Sequence, residues 1–156
     1  MLNQLRKQSG FTIIELLIVI AIIGILATLV LTNFQGAQAK SRDTTLQTDI
    51  NSIYQKLEEF YNENGGYPNE DLTNTVLPGI DQGALEDADG TGIVVAFDTA
   101  TTDPGQPTLP GNTNEYLYSA WECANAVSTP GTLCGKYYLA TYLEQDTAGF
   151  RKQSLN

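Results

Sequence analysis

The sequence predicts an α+β chain in which one long N-terminal helix packs on a small antiparallel β-sheet. Three observations predict it. Residues 11–31 form an apolar run, an amphipathic stripe of apolar residues follows without a break, and three β-branched or aromatic-rich segments occupy the C-terminal half. With 156 residues the chain suffices for one ordinary domain plus an anchor.

The apolar run is preceded by Arg6 and Lys7 and is long enough, as a helix, to span roughly 30 Å of hydrocarbon. Positive charge on its N-terminal side predicts that this end stays cytoplasmic and that the residues beyond Leu31 are carried across an inner or cytoplasmic membrane. Glu15 interrupts the run, and placing such a group in lipid costs at least about 2.5 kcal/mol. No Lys, Arg or His occurs between Phe11 and Asn33, so a counter-charge is expected from outside this stretch of helix.

From residue 34 the periodicity changes. Leu46, Ile50, Ile53, Leu57 and Phe60 recur at steps of four and three, with polar residues between them. Gly65-Gly66 followed by Pro68 predicts that the helix stops near Asn64. A continuous helix from residue 12 to 64 would measure roughly 80 Å.

Residues 69–92, rich in Asp, Asn, Gly and Thr, read as a long surface loop. Strands are predicted at 92–98, 115–122 and 136–144, with Pro104, Pro107 and Pro110 marking the connection between the first two. In the last strand Tyr137, Leu139, Thr141 and Leu143 alternate with Tyr138, Ala140, Tyr142 and Glu144, predicting one face on the helix and one partly wet. The aromatic face reads as sheet packing rather than as a binding patch.

Cys123 and Cys134 lie close together and lack the spacing of zinc or redox motifs. A local disulfide pinning the loop between the second and third strands is the simpler reading on the oxidising side of a membrane, with a reduced buried pair as the alternative.

Composition narrows the function. The net charge is −10, falling to −12 (6 basic, 18 acidic) without Arg6 and Lys7, so no nucleic-acid partner is expected. The absence of histidine removes the commonest general base and metal ligand, and neither an enzyme nor a cofactor is expected. Asp81, Glu86, Asp87 and Asp89 beside Gly90 lack the pattern of a calcium loop, since position 85 is leucine, and read as solvated surface.

The segment Ser9-Gly10-Phe11-Thr12-Ile13-Ile14-Glu15-Leu16-Leu17 resembles the cleavage and methylation signal of type IV pilins and type II secretion pseudopilins. The junction Asn64-Gly65-Gly66-Tyr67-Pro68 is similar to the helix-to-loop transition of the same proteins. The chain departs from many relatives in having Thr32 where they carry a proline.

The resemblance implies a pilin-like fold and a leader, residues 1–10, removed by a membrane prepilin peptidase between Gly10 and Phe11. The new amino terminus is then methylated, residues 11–33 form a transmembrane and filament-core helix, 34–64 a stalk, and 65–156 a globular head. It also implies that the Phe11 amine of one subunit pairs with Glu15 of a neighbour. The implied partners are identical or related subunits, the membrane, an assembly platform protein and an ATPase.

An ordinary secretory signal peptide competes, because Ala37-Gln38-Ala39 has the form of a signal peptidase site. Against it stand the length of the apolar run and the embedded Glu15.

Overall fold

The computed structural model describes residues 10–86, 93–97, 103, 105, 108, 115–125, 129–146 and 148–156. The leader apart from Gly10, the acidic residues Asp87 and Asp89, Gly90, the ends of the 92–98 strand, and Pro104, Pro107 and Pro110 lie outside these residues. The chain divides into two compact units, Met1–Gln38 and Ala39–Asn156.

Helix α1 runs Ile13–Asn64 and contributes to both units. It ends where the sequence predicts. Gly65 donates its N–H to the Tyr61 carbonyl at 2.8 Å with φ at 78°, the left-handed geometry that closes a helix C-terminus most cheaply with glycine. Gly66 must be small for another reason: a Cβ there would lie 2.7 Å from the Leu133 Cβ.

Beyond the helix come β1 (Tyr67–Pro68), a 3₁₀ turn (Gln82–Ala84), β2 (Val94–Phe97), β3 (Tyr116–Cys123), β4 (Leu133–Thr141) and β5 (Phe150–Gln153). The sheet runs β1-β4-β3-β2, with β5 pairing β4 as well. The β1–β4, β3–β4 and β4–β5 pairs are antiparallel, as expected, whereas β2 joins β3 in parallel. Residues 98–115 between β2 and β3 are numerous enough for the crossover that parallel pairing needs.

The predicted stripe is the core of the second unit. Ile50, Ile53 and Leu57 are fully buried, Leu46 nearly so, and Phe60 packs at the margin. They meet Tyr67, Tyr116, Tyr118, Tyr137 and Leu139 from the sheet. Tyr118 pairs with Leu139 and Ala120 with Tyr137, so these residues share one face.

Two expectations need correction. Residues 69–92 are not simply a surface loop, since Leu72, Leu77, Ala84 and Leu85 are buried and all but Ala84 join the core cluster. The last long strand begins at Leu133 and ends at Thr141 rather than spanning 136–144. Cys134 extends the ladder by pairing with Cys123, and the chain leaves the sheet where Asp43 takes the N–H groups of Glu144 and Gln145. The second face of that segment is partly wet, as expected, with Tyr142 and Glu144 half-buried beyond the buried Tyr138 and Ala140. Tyr138 is buried against Trp121, ring centroids 4.7 Å apart, and donates its hydroxyl to Asp103 at 2.8 Å.

Candidate functional site

The first helical turn is built by a reciprocal cap. Thr12 precedes the helix, and its N–H and hydroxyl both donate to the Glu15 carboxylate, at 2.9 and 2.7 Å. The Glu15 N–H donates back to the Thr12 hydroxyl at 3.3 Å. This is the capping-box arrangement of Thr and Glu three residues apart, which satisfies backbone donors that a helix start otherwise leaves open.

These local bonds do not supply the counter-charge expected for Glu15. It has hydrogen-bond donors within one turn but no cation among the described residues. Donors of this kind soften the loss of water without removing the charge. Gly10, Phe11 and Glu15 fall within one exposed stretch, with Phe11 90% exposed.

The residues that follow Glu15 are apolar and uncovered. Ile20, Ile25, Leu29 and Phe34 are each about 60% exposed, and a helix this long and apolar can cross a membrane. Two of its polar side chains turn inward on the backbone. The Thr28 hydroxyl donates to the Gly24 carbonyl at 2.8 Å, and the Asn33 amide to Leu29 at 3.0 Å. Bonds of this kind let polar residues sit in an apolar medium.

In the second unit, polar groups join α1 to the sheet. Asp43, buried, accepts from the N–H groups of Glu144 and Gln145 at 2.8 and 3.1 Å. Arg42 forks onto the Glu144 carboxylate at 2.5 and 2.7 Å and holds its pKa below the usual carboxylate range. Glu58 receives the hydroxyls of Tyr67 and Tyr137, at 3.1 and 3.0 Å. Burial and this carboxylate push Tyr67 up to about 12 and raise Tyr137 further. These are holding contacts rather than chemistry.

Cys123 and Cys134 form a disulfide across β3 and β4, both nearly buried. Asp81 and Glu86 do not converge on a common point. Asp81 caps the 3₁₀ turn through the Gly83 N–H, and Glu86 accepts from Gln82. Sequence reasoning passed over Thr12, although its spacing to Glu15 is the capping-box signature. Asp43 and Glu58 carry no comparable signal, because the partners of Asp43 and one of those of Glu58 lie far along the chain.

Comparison with known proteins adds to this geometry. Residues 5–31 match the model of the prokaryotic N-terminal methylation motif. The chain is 39% identical over 70 residues to the type IV major pilin protein PilA of Myxococcus xanthus, covering 45% of this chain and 31% of that one. It is 36% identical over 70 residues to the type II secretion system core protein G of Vibrio cholerae, covering 45% of this chain and 48% of that one. With the type IV wide pilus major component of Thermus thermophilus it shares 40% over 63 residues, 40% of this chain and 48% of that one. The matched region thus spans a third to a half of these relatives' lengths. No solved structure matches.

Proposed function

We propose that this chain, which carries the N-terminal methylation motif and is similar to type IV pilins and to type II secretion core protein G, is a structural subunit of a type IV filament. In this reading a prepilin peptidase cuts between Gly10 and Phe11, and the methylated Phe11 amine becomes a cation just ahead of the Thr12 cap. The apolar helix holds the subunit in the membrane, N-terminus on the cytoplasmic side. A platform protein and an ATPase then move it into a fibre whose core consists of such helices. The head, residues 65–156, forms the exterior.

The observation that carries the reading is an uncovered apolar helix headed by a carboxylate that has hydrogen-bond donors but no counter-ion among the described residues. An ion pair in the low-dielectric core of a fibre is far stronger than in water, so a neighbour's amine favours assembly over the isolated state. Thr12 holds the carboxylate meanwhile. A pilus subunit is the first reading. The similarity to core protein G supports a second, a pseudopilin acting in protein export.

N-terminal mass spectrometry of the protein recovered from cells tests the processing step. A chain beginning at methylated Phe11 is expected, and Glu15→Ala should leave that cleavage intact while abolishing filaments. A working protein that retained the Gly10 to Phe11 bond would defeat the proposal.

A further inference from the structure

In a head with a large excess of acid, cations are expected to find carboxylates. Arg42 pairs with Glu144, Lys56 with Glu59 and Lys136 with Glu122. Lys40, Arg151 and Lys152 do not, and of these Arg151 and Lys152 form an adjacent pair. Among the described residues they form no ion pair. Arg151 has a buried Nε without a partner, and its other contact is a donation to the Ala148 carbonyl. The Lys152 ammonium lies 5.2 Å from the centre of the Tyr54 ring and 5.5 Å from that of Phe150. Both sit on β5, which pairs β4 along one edge.

The other flank of α1 has the opposite character. Asp49, Ser52, Lys56, Glu59 and Glu63 follow one another at steps of three and four, and with Asp81 they border a groove of about 550 Å³ and its continuation. The sole cation there, Lys56, is already taken by Glu59 at 2.7 Å. At 100° per residue, Tyr54 under Lys152 lies about 160° around the helix from Ser52 and Lys56. The basic edge and the acidic flank therefore face away from each other and cannot meet within one subunit.

Resting on the filament reading, we infer that the β5 edge at Arg151 and Lys152 docks on the acidic α1 flank of a second copy of this chain. Two different, complementary patches on opposite sides of one subunit make a heterologous contact, which repeats into an open helical polymer rather than closing into a dimer. Charge complementarity argues for a second copy as the occupant. With seventeen acidic and six basic side chains in residues 39–156, the second unit itself supplies the counter-charge that Arg151 and Lys152 lack. Such contacts would set the register of neighbouring heads, while the apolar helices supply most of the cohesion.

The test uses the full chain expressed in cells. Arg151→Glu with Lys152→Glu should lower filament yield at least about tenfold, since like charges would then face each other. Glu59→Lys with Glu63→Lys, at exposed helix positions, should do the same. All four changes together should restore filaments. Equal amounts of disulfide-bonded, protease-resistant subunit in the membrane show that each variant folds. Wild-type yield from the Arg151 and Lys152 reversal overturns the inference. So does failure of the fourfold variant to recover, which would give the basic edge another occupant, such as an anionic lipid or polysaccharide. Filaments that need Glu15 yet ignore every head reversal leave the filament reading standing and remove only this one. Absence of filaments from the wild-type chain removes both.

Discussion

The two halves of α1 are one helix by hydrogen bonding and two different objects by burial. In residues 13–38 the apolar side chains point outward, with Ile18 51% and Leu26 56% exposed. In residues 39–64 the apolar side chains form a single stripe, and Ile50, Ile53 and Leu57 have no exposure at all. The second half has already spent its hydrophobic free energy on the head. The first half retains its own, at roughly 25 cal/mol for each Å² that a membrane or neighbouring helices can cover. In the filament reading, cohesion draws on the unsatisfied half and the shape of the head on the satisfied one.

The sharpest way to break this comparison is the same kind of substitution in each half. Leu57→Ala removes a fully buried side chain and should destabilise the head by about 2–5 kcal/mol. Ile22→Ala, 52% exposed, should leave head unfolding in detergent unchanged and instead reduce filament cohesion. Denaturant unfolding of the full chain, followed through tyrosine and tryptophan signals, reads both. An equal loss at the two positions would mean that the halves are not energetically separate.

The disulfide should act on the second unit alone. Cys123 and Cys134, eleven residues apart, close a short loop, and Cys123→Ser with Cys134→Ser should cost about 3 kcal/mol. Cleavage at Gly10 should be untouched. The same unfolding measurement, paired with N-terminal analysis, checks both halves of the statement.

At the other end, Thr12→Val keeps the shape of the side chain and deletes its hydroxyl. The helix cap should weaken by about 1 kcal/mol, and one donor to Glu15 is lost. Amide exchange in detergent should quicken across the first turn and stay unchanged from residue 46 onward. Slowing of exchange there, or a spread into the stalk, would show that the cap does not act locally.

How much of this was legible depends on how many residues carried each signal. Helix α1 was readable because its stripe repeats over several turns and Gly65-Gly66 stops it. The strands β3 and β4 were found with shifted ends, since the disulfide lengthens the ladder at one end and Asp43 draws the chain away at the other. Strands β1 and β5, of two and four residues, offer too few side chains for any periodicity to show. Leu72, Leu77 and Leu85 are sparse apolar residues with no helix or strand periodicity, and only their long-range packing marks them as core. Glu15 stood out as an anomaly of composition, whereas the local donor that answers it required the Thr12 spacing to be noticed.

The smallest effect lies on the polar side of the stalk and separates charge from packing. Desolvation raises the pKa of Asp49, the neighbouring Asp81 carboxylate raises it further, and the bond from the Tyr116 hydroxyl at 2.9 Å opposes both. A carboxyl group whose folded pKa is raised contributes stability below its unfolded pKa, about 3.9, and that contribution disappears as pH rises through the folded value. At neutral pH the ionised group is therefore a small liability. Asp49→Asn keeps an acceptor for Tyr116 and removes the charge. It should raise head stability at pH 7 by less than about 1 kcal/mol, because solvent screens a partly exposed group. The gain should shrink as pH falls toward the ordinary carboxylate range. Denaturant unfolding of both proteins at pH 7 and near pH 4 measures the difference. A gain of equal size at the two pH values would assign the effect to packing rather than to charge.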